Sequence, residues 1–227
     1  MDLIDTLRST GAIREFRPDP VPDDVVARIL DNARFAPSGG NRQGWHVVVV
    51  KDAATRRALR ELYLPGWRDY LAMRQAGLTP WAPVTDEEAE RAALRQADAI
   101  PDDALGGFVA HLDEVPVLLV VLADLRALAA VDRGFDRYTL AGGASVYPFA
   151  WSILLSARAE GLGGVLTTMA IRREPEVKGL LAVPEPFVVA GVIVLGHPVH
   201  QPRRLARRPV EEFATVDRFD GASLNGA

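Results

Sequence analysis

The sequence predicts a single domain that mixes helices with a few short apolar strands, and three observations predict it. A chain of 227 residues, 48% of them hydrophobic, is long and apolar enough to bury one proper core. Uninterrupted runs of β-branched and aliphatic residues at 47–50, 117–121 and 187–195 have the length of buried strands rather than of helices. Between them lie stretches whose apolar residues recur at helical spacing, as they do in helices that cover a sheet. No strand leads into a GxGxxG turn that opens a helix, which argues against the doubly wound dinucleotide-binding arrangement.

Leu3, Ile4 and Leu7 share one helix face, and Ser9-Thr10-Gly11 ends this first helix. An arginine-bearing turn, Ile13-Arg14-Glu15-Phe16, comes next, and Pro20-Val21-Pro22 punctuates the link beyond it. Asp23 or Asp24 is placed to cap a second helix, because Val25, Val26, Ile29, Leu30 and Ala33 make an apolar face directly after them. That helix delivers the chain to a turn-rich loop at 36–45, followed at 47–50 by a strand expected to be buried on both faces. A further helix is expected over 53–70. From 71 to 107 the pattern loosens, as Pro80, Pro83 and Pro101 interrupt a charged stretch. Such a segment reads as a surface insertion with a short helix of its own, and a lid is one role it can take.

Residues 117–121 give a second buried strand. Residues 142–160 read as a long apolar helix through Val146, Phe149, Ile153, Leu154 and Ala157, stopped by Gly161. A third strand at 163–168, a short helix at 174–181 and a fourth strand at 187–195 follow, closed by Gly196 and Pro198. The tail from residue 200 is polar and arginine-rich, with too little apolar content for a core of its own, and is expected to wrap a surface or a partner.

Composition narrows the function classes. A net charge of −4, an isoelectric point near 5.6 and scattered arginines argue against a nucleic-acid binder. The absence of cysteine excludes disulfides, thiolate metal sites, iron–sulfur clusters and cysteine nucleophiles, so redox work would need a bound cofactor. The start of the chain lacks the pattern of a signal peptide and no apolar run reaches the length of a membrane span, so a soluble cytoplasmic protein with no membrane partner is expected. His46, His111, His197 and His200 lack metal-ligand spacing, and no protein-held metal is expected.

The densest candidate for ligand contact is Pro37-Ser38-Gly39-Gly40-Asn41-Arg42-Gln43-Gly44-Trp45. The glycines let the backbone approach a ligand, and Asn41 and Gln43 offer donors and acceptors that suit a flat heterocycle with amide-like edges. A plain chain reversal uses the same residues. Arg14 can clamp a phosphate or meet the polar edge of a ring, or else pair with Glu15 or Asp19 at the surface. Arg207-Arg208-Pro209 has the same two readings. Gly161-Leu162-Gly163-Gly164 follows a helix and precedes a strand, the reverse of nucleotide-binding order, while Thr167 and Thr168 can supply neutral donors beside a planar ligand. Ser145, His111 and Asp113 lack the GxSxG elbow of a hydrolase.

Taken together, these segments resemble the FMN-dependent nitroreductase family over nearly the whole chain. Ile13-Arg14-Glu15-Phe16 with Pro20-Val21-Pro22 resembles the family's N-terminal arginine motif and its Pro-Val-Pro link. Residues 36–45 are similar to its Ala-Pro-Ser-Gly-x-Asn-x-Gln-Pro-Trp segment, with Gly44 in place of proline. Val115-Pro116-Val117, Ser145-Val146-Tyr147-Pro148, Gly161-Leu162-Gly163 and Arg207-Arg208-Pro209-Val210-Glu211-Glu212 resemble its strand entry, central helix, following turn and phosphate motif. The Gln43-Gly44-Trp45 form and Trp151-Ser152 resemble an actinobacterial branch.

The resemblance implies an α+β sandwich with a mostly antiparallel central sheet flanked by helices, one domain over residues 1–227, and an obligate homodimer whose C-terminal tails embrace the partner. It implies FMN at the subunit interface, NAD(P)H as co-substrate, and ping-pong transfer of hydride through flavin N5 to a small-molecule acceptor such as a nitroaromatic or quinone. By position, Arg14 would contact the flavin, and Arg207 with Arg208 would neutralise its phosphate. Pro37, Ser38 and Gly39 would come from the opposite subunit, with Asn41 and Gln43 beside them, and Leu166, Thr167 and Thr168 would line the ring. The electrons would run through the cofactor, with no catalytic dyad of side chains and the segment 71–107 shaping access. The chain departs from the family at Gly11 and Ala12, where members usually carry a further arginine and often a serine. One phosphate contact is then missing, and the alternatives are that Arg8 or the Arg207-Arg208 pair compensates or that flavin is bound more weakly.

Overall fold

The structure, a computed structural model, describes residues 2–224. Its centre is a four-stranded antiparallel sheet of β1 (Trp45–Val49), β2 (Val117–Asp124), β3 (Gly163–Thr167) and β4 (Phe187–Gly196), ordered β1-β2-β4-β3. The strand β2 shows why its uninterrupted apolar run is needed. Val117, Leu119, Val121 and Ala123 face one helical layer, while Leu118, Val120 and Leu122 face another, so both faces are buried. Between Val121 and Leu122 the partner on β4 skips from Gly191 to Val189, which makes Ala190 a bulge residue.

One layer is α2 (Asp23–Ala33) with α6 (Tyr147–Ala159); the other is α3 (Ala53–Gln75) with α7 (Glu174–Leu180). The helix α1 (Leu3–Ser9) packs on α6, and α4 (Glu87–Leu94) on α3, with the single turn α5 (Gly107–Ala110) beyond. This is the predicted α+β sandwich. No helix among the described residues is long and apolar enough to cross a membrane.

Four details correct the sequence reading. The strand β1 is not buried on both faces: it is an edge strand, with His46 exposed and Val47, Val48 and Val49 half-buried. An apolar run reports which side chains tolerate burial but not how many neighbours the strand has. Neither Asp23 nor Asp24 caps α2. Pro22 takes that position without a side-chain bond, and both carboxylates lie in the first turn, where the helix dipole favours them. The helix α3 runs past the expected 53–70 to Gln75 and carries Pro65 in its interior. Next to that proline, a Cβ on Gly66 would come 3.0 Å from the Met169 carbonyl oxygen, so glycine permits the close approach of α3 to the turn after β3. Finally, α6 starts at Tyr147 rather than at 142, because Pro148 fits only the first helical turn, and residues Ala141–Ser145 form a 3-10 turn instead. Its stop at Gly161, in a left-handed conformation with φ of +80°, follows the prediction.

The segment 71–107 is not detached from the core. Ala97, Ile100 and Leu105 are buried in the α3 layer, and Ala93 of α4 is buried as well.

Candidate functional site

The first cluster forms along β3. The chain after α1 runs beside this strand, with the Ile13 amide donating to the Gly164 carbonyl at 2.9 Å, and it continues past the end of β4, where the Arg17 amide donates to the His197 carbonyl at 2.8 Å. Arg14 is thereby exposed at the sheet edge. Tyr63 of α3, only 1% exposed, reaches up to Thr167, its hydroxyl 2.6 Å from Thr167 Oγ1. Burial pushes the Tyr63 phenol up to about 12, against smaller opposing effects of the Thr167 hydrogen bond and the Arg14 charge, so it stays protonated at neutral pH. Leu166 points to the opposite face of the sheet from Thr167, and Thr168 is exposed at the strand exit. Next to Arg14 opens a cleft of about 690 Å³, walled by Phe16, Trp67, Gly107, Phe108 and His111. Trp67 is fixed there by donating to the Leu105 carbonyl at 2.8 Å and by stacking on Tyr70 at 4.9 Å.

The second cluster is the loop before β1. Ser38 Oγ accepts from the Gln43 amide at 3.0 Å, and the Gly39 amide donates to Ser145 Oγ at 3.0 Å, which ties the loop to the entry of α6. The Gln43 side chain donates to Asn41 at 3.3 Å. Gly40, Asn41 and Gln43 all have positive φ, at 60°, 51° and 49°. Pro37, Asn41 and Gln43 are exposed, whereas Ser38 and Gly39 are half-buried. Trp45 then stacks on Phe149 of α6 at 4.6 Å. This loop belongs to the β1 edge and Arg14 to the β3 edge, three strand spacings or about 14 Å away. One chain does not bring the two clusters together.

The third cluster is basic. Arg207 shares a cleft of about 590 Å³ with Arg8, Arg204, Thr10 and Trp151, while Arg208 is exposed outside it. Among the described residues no carboxylate pairs with Arg8, Arg204 or Arg207.

Sequence reasoning passed over Tyr63 and Asp132. A tyrosine on the apolar face of a helix looks like core, and only its polar tip hints that a partner is needed. Asp132 is 4% exposed and accepts from the Leu140 amide at 2.6 Å, the Ala141 amide at 3.2 Å and Arg137 at 3.0 Å. These donors, the Leu140 amide foremost, hold its carboxyl down to about 2. It clasps the loop between β2 and α6, which lies against the second cluster through Ala127 and Ala129.

The model of the Nitroreductase family matches residues 7–197. The chain is 34% identical over 209 residues to the NADH dehydrogenase of Thermus thermophilus, a match that covers 88% of each protein. Among solved structures, the BluB-like flavoprotein from Clostridium difficile is similar with a TM-score of 0.68 and 20% identity, over 96% of this chain and 100% of that one. The NADPH:FMN oxidoreductase from Vibrio harveyi, in complex with NAD+, is similar with a TM-score of 0.64 and 21% identity, over 98% of this chain and 79% of that one. At these identities the two structures speak for the fold.

Proposed function

Because the chain belongs to the nitroreductase family, we propose that it is an FMN-dependent NAD(P)H oxidoreductase that works as a homodimer on a small electron acceptor. FMN, if bound, would supply a hydride carrier between NAD(P)H and a nitroaromatic, quinone or related acceptor, which would give ping-pong kinetics. The observation that carries this reading is the meeting of Arg14, Thr167 and the buried Tyr63 at one sheet edge beside an aromatic-walled cleft. A fixed cation, a hydroxyl donor and flat apolar walls suit a planar ring with a polar edge. The unpaired arginines of the third cluster suit a phosphate. The donor set therefore fits the cofactor.

In this reading Arg14 holds the polar edge of the ring, Thr167 and Thr168 line it, Leu166 offers only its backbone because its side chain turns to the other sheet face, and Arg207 neutralises the phosphate, with Arg208 outside the cleft adding only long-range charge. The placement of the loop and Arg14 at opposite edges of the sheet supports delivery of Pro37, Ser38 and Gly39, with Asn41 and Gln43 beside them, by a second subunit. Exposed Ile4 and Leu7 on α1, Trp151 on α6 and Phe213 and Phe219 in the tail are apolar surface for that subunit to cover. The segment 71–107 shapes acceptor access, since its end at Leu105, Gly106 and Gly107 walls the cleft.

The test is an anaerobic absorbance spectrum of the purified protein before and after NAD(P)H, then after a nitroaromatic or quinone. Flavin bands that bleach and return support the proposal. A yellow protein that NAD(P)H does not bleach favours a second reading, a flavoprotein of the same fold with another activity, such as dehalogenation or dehydrogenation, or with no turnover.

A further inference from the structure

We propose that Arg8 and Arg204 join Arg207 to hold the cofactor phosphate, brought together where the C-terminal tail seats on the end of α1. The proposal rests on the flavin reading. Thr10, Gly11 and Ala12, just beyond the end of α1, bring no cation of their own. Thr10 cannot substitute, because it is buried and its hydroxyl already donates to the Thr6 carbonyl at 2.7 Å.

Gly11 supplies space rather than charge. A Cβ there would lie 2.9 Å from Leu205 Cδ2 and 3.4 Å from Pro202 Cγ, so the tail packs closely on Gly11 and a larger residue would have to turn the Leu205 side chain aside. Seated, the tail caps the helix: the Leu205 amide donates to the Arg8 carbonyl at 2.8 Å and the Gln201 side chain donates to the Ser9 carbonyl at 2.9 Å. Leu205 is thereby pinned between Arg204 and Arg207, and both open into the cleft that Arg8 already lines. These three exposed guanidinium groups line one cleft with no carboxylate partner among the described residues, Arg207 donating only to the Ala206 carbonyl, which suits a phosphate monoester with its charge of about −1.5 to −2 and three acceptor oxygens. The exposed ring of Trp151 gives the cleft an apolar wall.

FMN and riboflavin differ only by the phosphate, and their dissociation constants, read from flavin fluorescence at two salt concentrations, isolate it. The native protein should bind FMN at least about tenfold more tightly than riboflavin. Arg8→Ala and Arg204→Ala should each weaken FMN about tenfold, flatten its salt dependence and leave riboflavin unchanged, while Arg204→Lys recovers part of the loss. Leu205→Ala, which keeps every charge but frees the tail, should imitate Arg204→Ala. If native protein binds FMN and both alanine variants match it, or if it binds the two flavins equally, the proposal is overturned and the flavin reading stands. If it binds neither flavin, both fall. Thermal melting of each variant separates a lost contact from a lost fold.

Discussion

The pairing of Tyr63 with Thr167 allows a test in which the direction of one proton decides the outcome. Either oxygen could donate across the 2.6 Å contact. The phenol, however, is 1% exposed and has no other acceptor among the described hydrogen bonds, whereas Thr167 is half-buried at the strand exit. Tyr63 must therefore donate, which leaves the Thr167 proton free to face the open side. Removing the donor by Tyr63→Phe costs about 1 kcal/mol, the net worth of an ordinary hydrogen bond. Removing the acceptor by Thr167→Val strands a buried phenol and costs about 2 kcal/mol, the desolvation penalty of an unmet donor. The double variant should resemble Tyr63→Phe, with a coupling of about 2 kcal/mol, the whole cost of Thr167→Val alone. Urea unfolding of the four proteins measures each term, and in a chain of this size each kcal/mol moves the melting temperature by about 2–4 °C. Equal single costs that simply add would refute the assignment.

Other expectations follow from neighbouring geometry. The Tyr63 phenol stays protonated in the fold up to about 12, against a usual value of 10.0, so the stability it provides is present below pH 10 and is lost as pH rises through 12; Tyr63→Phe should flatten this alkaline decline in unfolding midpoints. Asp132 is shifted the other way, to about 2 from 3.8, so its contribution is present above about pH 4 and fades as pH falls toward 2; the gap in urea midpoint between native and Asp132→Asn protein should shrink over that range. Arg207→Ala should weaken FMN binding by about 1.5–3 kcal/mol, read by fluorescence titration, and unchanged affinity would remove Arg207 from the site. Leu119→Ala, at a fully buried position in the middle of β2, should cost about 2–5 kcal/mol in chemical denaturation.

The layers of the fold were legible because periodicity reports burial: β2 and the apolar face of α2 could be read from the chain directly. Neighbour counts leave no such trace, which is why β1 read as a central strand when it lies at an edge. Proline placement fixed the start of α6 more tightly than its hydrophobicity suggested. At the site, Arg14 and Thr167 could be named from motif position, and the backbone bond from Ile13 to Gly164 then set them on one edge. The meeting of Arg8 with Arg204 could not be read, because nearly the whole chain separates them and only the space at Gly11 records the contact.

The left-handed bends at Asn41 and Gln43 give the loop before β1 a mechanical character. Residues with side chains adopt that conformation at a cost of roughly 1–2 kcal/mol each, and it persists only where surrounding contacts over-determine it. Ser38 and Ser145 supply those contacts within the chain. The loop is thus a stiff finger whose shape is settled when its own subunit folds. Association with another body needs no rehearsal of its conformation, and the ordering entropy that would slow or weaken the encounter has already been lost.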